Sequence, residues 1–289
     1  MRSELFKVLR DGRSCHGGSL TWPLPSQNED GSWTPGEWVE VSGPLSMCSN
    51  GLHLTTNPRE WYVEAAQVYA AEYDGEIVRD DGSDKVCVRR ARLLSEVAWS
   101  DHGVYHEGHH DLYGNAQATL YGNAQARLYG NAQATLYGNA QARLYDNAQA
   151  TLYGNAQATL SGNAQATLSG NAQATLSGNA QATLYGNAQA TLYGNAQARL
   201  YDNAQARLYD NAQATLYGNA QARLYGNAQA TLYGNAQATL YGNAQATSDR
   251  WHSPSATVAL AQLAAHIDRR GGKLILRSAE TEGTDGRTH

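Results

Sequence analysis

The chain has 289 residues, a formal net charge of −5 and 42% hydrophobic residues, enough for two compact units or for one small domain carrying a repeat array. Charge is uneven: residues 1–111 hold 18 acidic and 10 basic side chains, the repeats after them five Arg and three Asp, and the tail from Ser248 six basic and five acidic. No segment is a polybasic footprint, which argues against nucleic acid as a partner, and no run of ~18 apolar residues suits a membrane span.

The opening MRSELFKVLRDGRS has charges inside its short apolar run, unlike a secretory signal. Cys15, Cys48 and Cys87 are few and far apart, so no disulfide framework is implied and a cytoplasmic location is expected. Residues 1–100 contain five of the six Trp. Their apolar runs LFKVL, EWVEV, QVYAAEY and KVCVRRARLL alternate with Gly, Asp and Pro, which predicts a small α+β domain. Its one short helix is expected in NPREWYVEAAQ, with Asn57 as cap and Pro58 at the first helical position.

Cys15, His16, Cys48 and His53 lack the paired spacing of a zinc set, and a core role is expected for the cysteines. DHGVYHEGHHD places His102, His106, His109 and His110 among Asp101, Glu107 and Asp111. Imidazole and carboxylate together suit a transition metal, although a polar cap is the plainer expectation. Within it, residues 104–111 span one octapeptide, with Val104 and Tyr105 in register, so residues 101–111 read as the N-terminal cap of a repeat array.

Seventeen contiguous octapeptides run from Leu112 to Thr247. Leu, Asn, Ala, Gln and Ala do not vary. Ser replaces the second-position Tyr at 161, 169 and 177; Asp replaces the third-position Gly at 146, 202 and 210; Arg replaces the eighth-position Thr at 127, 143, 199, 207 and 223. A period of eight does not hold one face of a 3.6-residue helix. In AQATL, alternation instead puts Ala116, Ala118 and Leu120 on one face and Gln117 and Thr119 on the other, and Tyr-Gly-Asn turns the corner. Repetition of strand and turn predicts a mainly β fold, a β-solenoid over residues 112–247 in which neighbouring coils supply one another's core. Small interior residues and the parity of the arginines, four of five in even-numbered units, favour two octapeptides per coil and a rod of roughly 40 Å. The eight candidate residues of the odd face are Gln117, Thr119, Gln133, Thr135, Gln149, Thr151, Gln165 and Thr167. Tyr113, Tyr121, Tyr129 and Tyr137 begin a ring ladder, and stacked Asn amides are expected to bond along the axis. Each Asp follows an Arg by three residues, as in RLYD at 143–146, which predicts a corner ion pair.

After the array, SPSATVALAQLAAHIDRRGG offers Ser253 as helix cap, Pro254 at the first turn and a stripe of Leu260, Leu263 and Ile267. That predicts a capping helix followed by the strand KLILR, together residues 248–277, and a disordered tail over 278–289.

The segments FKVLRDGRSCHGGSLTWPLP, PGEWVEV, CSNGLHLTTNPREW and DKVCVRRARLL resemble a domain of uncharacterised actinobacterial and actinophage proteins. In those, Cys-x-x-Gly-Leu-His-Leu and Asp-Lys-Val segments precede Tyr-Gly-Asn-Ala repeats. The resemblance covers residues 5–100 and the array and implies no activity. GLHLTTNPREWYVEAAQVYAAEYDGE is similar in rhythm to ADP-ribosyltransferase domains, which implies a strand, a helix and a strand. The Tyr-Gly pairs at 16 residues resemble bacterial ice-nucleation solenoids, with Gln-Ala-Thr in place of Thr-x-Thr. These features predict a non-enzymatic rod, without cofactor, that presents Gln/Thr and Tyr surfaces to a protein or repetitive surface, the Tyr ladder also offering a homodimer contact. Ice binding and an ADP-ribosyltransferase-like N-terminal enzyme are the alternatives.

Overall fold

Octapeptide chemistry settles the coil. In the computed structural model each unit but the last contributes a four-residue strand, Gln117–Leu120, Gln125–Leu128 and so on, and a turn over Tyr-Gly-Asn or its variants, the last strand being Gln245–Asp249. Gln and Thr point outward while Ala and Leu point inward, so Ala118 is 4% and Leu120 0% exposed. The turn closes when an Ala N–H donates to the Tyr carbonyl three residues earlier, as from Ala116 to Tyr113 at 3.2 Å. It requires a left-handed residue at the third position of the octapeptide, φ +71° at Gly162, where a Cβ would also stand 3.2 Å from the backbone of the coil below.

The structure describes residues 4–15, 19–47, 49–79 and 82–249, and the strands Thr257–Leu260, Ala265–Asp268 and Lys273–Ser278. The chain divides into two compact units, Met1–Val104 and Tyr105–His289. In the second, strand Gln117–Leu120 pairs in parallel with Gln133–Leu136, and Gln125–Leu128 with Gln141–Leu144, residue for residue. The register is therefore 16 residues: two octapeptides close one coil, and alternate units form opposite sheets. One sheet has ten strands and the other twelve, about nine turns in all. Between them lies a core of Leu and Ala alone over most of its length, continuous from Leu112 to Ala246.

Both ends of the array depart from the repeat. At the start, Tyr121, Asn123 and Gln125 donate backbone N–H groups to the carbonyls of Tyr105, His106 and Gly108. Tyr137, Asn139 and Gln141 do the same one coil later to Leu120, Gly122 and Ala124. Residues 105–111 thus occupy the place of a repeat. At the other end the expected capping helix is not seen among the described residues. Thr257–Leu260 is a strand that continues one sheet in parallel, and Ala265–Asp268 and Lys273–Ser278 are strands paired antiparallel to each other. Lys273–Ser278 also pairs antiparallel with Gln245–Asp249. An exposed row of backbone donors and acceptors at the last coil outweighs the helical stripe of Leu260 and Ile267. Ser253, Pro254, Leu263 and the tail from Ala279 lie outside the described residues.

The N-terminal unit is built on a six-stranded antiparallel sheet, with a separate two-stranded one formed by Ser26–Gln27 and Trp33–Thr34. Its backbone is a hairpin of two long strands, Gln67–Arg79 and Lys85–Val97, with Leu5–Arg10 against the first and Leu52–Thr55 against the second. The expected α+β content is corrected: the described residues of this unit hold only two single-turn 3-10 helices, Pro58–Trp61 and Trp99–His102. Pro58 does open its helix, but Asn57 makes no side-chain cap, and Tyr62 is already extended. The AAQVYAAEY stretch joins the sheet because alternation buries Val68 while Tyr69 and Ala71 face a second core. No described helix is long and apolar enough to cross a membrane.

Because each coil contacts only its neighbours, a cavity at mid-array should weaken the rod locally. Leu176→Ala, at a fully buried position, is expected to cost about 2–4 kcal/mol. Hydrogen exchange should accelerate in the coils around it and stay unchanged at both ends of the array.

Candidate functional site

The eight odd-face residues named from the sequence fall on one sheet in one register: Gln117, Gln133, Gln149 and Gln165 are successive partners, as are Thr119, Thr135, Thr151 and Thr167. The ladder continues through Thr183 to Arg199 and back to Thr215, Thr231 and Thr247. The opposite sheet carries the other four arginines. Arg127 and Arg143 are direct neighbours, Arg207 and Arg223 form a second adjacent pair, and Thr159, Thr175 and Thr191 lie between them. A shallow groove follows this face from His109 to Thr239, walled by the Gln ladder and the Arg/Thr ladder. Like charges on neighbouring strands oppose pairing. Only the first pair meets a carboxylate among the described residues, Arg127 lying 3.8 Å from Asp111.

Tyrosines form two ladders, because alternate units turn at opposite corners. Tyr113 stacks on Tyr129, and Tyr121 on Tyr137, each with ring centroids 5.0 Å apart and planes within 10°. Burial pushes the Tyr129 and Tyr137 phenols up, with Asp111 and Tyr145 adding to the first and Tyr153 to the second. Both ladders stop in the middle of the array, at Ser161 and Ser177 on one corner and at Ser169 on the other. The Ser161 and Ser177 hydroxyls turn inward and donate to the Leu144 and Leu160 carbonyls at 3.3 and 3.2 Å. Ring faces bordering the breaks are uncovered: Tyr153, Tyr185 and Tyr193 are 40–42% exposed.

The Asn ladder is present in part, Asn131 Nδ2 donating to Asn115 Oδ1 at 3.4 Å and Asn179 to Asn163 at 3.5 Å. The expected Arg–Asp corner pair is not. Asp146, Asp202 and Asp210 sit at φ 57–59° in the left-handed position of the turn. Their carboxylates reach across to the preceding coil and accept the Gly130, Gly186 and Gly194 N–H groups at 3.1–3.2 Å. Among the described residues none is ion-paired with its RLYD arginine. A strand residue such as Arg143 points away from the sheet, whereas the αL conformation turns Asp along the axis. Asp is also one of the few non-glycine residues that tolerate that conformation.

The four candidate metal-ligating histidines take separate places. His102 belongs to the N-terminal unit, where its ring meets Phe6 edge-on at 4.5 Å and its buried Nε2 has no hydrogen-bond partner. Burial pushes its pKa down against the pull of Asp101 and Glu4. His106 stacks on Tyr121 and His110 on Tyr105, while His109 takes a Gln position in the ladder. Among the described residues, no three His, Cys, Asp or Glu side chains are placed to hold a metal ion. The aromatic-like imidazoles instead extend the stacking to the first coil.

In the N-terminal unit, His16 and Cys48 lie outside the described residues, Cys15 is half-buried and Cys87 is buried. Gly51 approaches Cys87 so closely that a Cβ would stand 2.0 Å from its Sγ, which gives the Gly-Leu-His-Leu segment its glycine. Sequence reasoning overlooked a cluster here. Lys7, Ser14, His53, Thr55, Trp61 and Lys85 line one small cavity, and Lys7 is only 7% exposed. The available signal was a lysine inside the apolar run LFKVL, a run whose five residues are all buried.

The two explanations of the Asp corners separate by mutation. Asp202→Ala is expected to cost about 1–2 kcal/mol by losing both the hydrogen bond and an αL-tolerant residue. Asp202→Gly should cost less, and Arg199→Gln should stay within about 0.5 kcal/mol of wild type, all read by urea denaturation. Residues 4–103 match a family model described as a domain of unknown function (DUF7666), so this third of the chain is similar to a family that brings no assigned chemistry. Neither the curated proteins nor the solved structures compared with the chain contain a match.

Proposed function

We propose that the protein is a non-enzymatic scaffold whose solenoid presents two regular faces to a protein or to a repetitive surface. The observation that carries this reading is the residue-for-residue register of nine successive strands of the odd sheet, with outward Gln on all nine and Thr on all but the Arg199 strand. Each added coil offers the same amide and hydroxyl one coil further along, roughly 4.8 Å away. A partner with its own period can then make one weak contact many times, so avidity accumulates without any deep pocket. The core beneath consists of fully buried Leu and nearly buried Ala, which keeps the face rigid and limits the ordering cost of binding. Side-by-side pairing through the uncovered rings of Tyr153, Tyr185 and Tyr193 is a further contact this scaffold offers.

Ice is one repetitive surface the odd face suits, because Thr occupies eight of its nine outward strand positions, Arg199 alone interrupting. Ice-recrystallisation inhibition by the full chain is the test. If ice is the partner, Thr151→Lys with Thr167→Lys and Thr183→Lys should abolish the effect, while Thr159→Lys with Thr175→Lys and Thr191→Lys on the other sheet should retain it. For the broader scaffold reading, the same two variants are compared in sedimentation velocity and in pelleting with insoluble crystalline polysaccharide. A face-specific loss of any of these associations supports the scaffold. Wild-type protein that neither self-associates nor binds any of these surfaces would remove the reading of the odd face as a contact surface.

A further inference from the structure

Lys7 is placed where a sheet core ordinarily holds an apolar side chain. It lies in the central strand Leu5–Arg10, flanked by buried Phe6 and Val8. Its ammonium donates to the His53 carbonyl at 2.9 Å and to Ser14 Oγ at 3.4 Å, and stands 5.3 Å from the Trp22 ring centroid. No carboxylate pairs with it among the described residues. Asp84, which does not line the cavity, accepts Thr55 Oγ1 at 2.8 Å and Trp61 Nε1 at 2.7 Å. The second cation of the cavity, Lys85, lies over the Trp61 ring at 5.7 Å.

We propose that this cavity is a binding site for a small oxyanion, held by Lys7 and Lys85 with the Ser14 hydroxyl as a neutral donor. The space is about 80 Å³, against roughly 10–15 Å³ needed on the same measure for one water. The cavity is open on one side and has room for a phosphate, sulfate or carboxylate group, so a bigger ligand would insert its charged end. Burying an ammonium opposite a carbonyl, a hydroxyl and an indole ring is costly without a counter-charge, and an oxyanion supplies one. Two positive side chains at one cavity also give directional donors that an anion's oxygens can share.

Titration behaviour agrees with this geometry. Burial, reinforced by Lys85 and opposed by Cys15, lowers the Lys7 pKa from 10.5 to about 8. Burial followed by the two lysines lowers that of His53, so the imidazole is disfavoured as a third cation. A bound anion favours the charged amine. Above pH 8 binding must therefore carry a proton with it, and affinity falls by as much as about tenfold per pH unit until the amine of the complex titrates.

The test uses the full chain in a buffer free of oxyanions, titrated with inorganic phosphate at pH 7 and followed by calorimetry and Trp fluorescence. Saturable one-site binding is expected, with affinity reduced at least tenfold by Lys7→Met and at least threefold by Lys85→Gln. Lys7→Met replaces a buried ammonium by an apolar chain of similar shape, and the less buried Lys85→Gln provides an independent arm. Sulfate, which does not titrate between pH 7 and 10, should bind more weakly as pH rises through 8. Comparing phosphate with phosphoserine distinguishes a free ion from the charged end of a larger ligand, and binding of either supports the site. Absence of saturation below ~10 mM, or equal binding by wild type and both variants, would overturn it. This site is independent of the scaffold reading, so failure of one leaves the other standing.

Discussion

Everything in the array depends on one constraint: each strand must lie on the strand 16 residues before it with no change of register. Tyr137 N–H meets the Leu120 carbonyl, Asn139 meets Gly122 and Gln141 meets Ala124, and the same three bonds recur coil after coil. A one-residue insertion would exchange inside for outside from that point on. Side-chain variation is therefore confined to places where it cannot disturb the stack. The second position varies between Tyr and Ser at a corner, the eighth between Thr and Arg on an outer face, and the third between Gly and Asp. The third is the most restricted, because a left-handed backbone admits few residues. Asp converts that restriction into an extra bond to the coil below.

Stacking also explains what happens where repetition stops. A parallel coil leaves a row of unsatisfied backbone groups at each end, which would template another chain. At the start, His109 and His110 pair with Gln125 and Ala126, and Asp111 with Arg127, so the first rung carries charge and imidazole where the repeat has amide and methyl. At the end, Lys273–Ser278 runs antiparallel to the last repeat strand, and the repeat's register goes no further on that sheet.

Much of this was legible in the sequence because the octapeptide states its own physics. Ala-Gln-Ala-Thr-Leu alternates, Gly-Asn turns, and the parity of the arginines indicates two units per coil. The misreadings share a cause, which is that local pattern was read without its tertiary partner. Thr257–Leu260 and Ala265–Asp268 fit a helical stripe, yet the last coil offered them a sheet. Residues 57–67 carried two alanines and a Pro at the first helical position, yet the helix stops at Trp61 and strands Leu5–Arg10 and Lys85–Val97 draw Gln67 onward into the sheet. The Arg–Asp spacing implied a pair, but strand and turn send the two side chains in different directions. Lys7 escaped attention because nothing in LFKVLR shows that the strand is covered on both faces, and only the assembled sheet places Lys85 and Ser14 beside it.

The two units consequently recognise in different ways. An outward Thr of the array contributes little by itself, and its effect depends on the identical Thr one coil above and below. Substituting one rung should matter far less than shifting the register, and a non-periodic ligand would gain little from the ladder. In the N-terminal unit each position occurs once: Gly51 makes room for Cys87, Trp61 engages Asp84, and Lys7 keeps its charge opposite neutral acceptors. Specificity there rests on a few irreplaceable groups, each supported by burial. The Ser breaks in the Tyr ladders lie between these two modes. They remove one or two rings from an otherwise periodic edge and uncover the faces of Tyr153, Tyr185 and Tyr193, so that a uniform array acquires a distinguishable middle while the backbone bonds between coils continue through Ser161, Ser169 and Ser177.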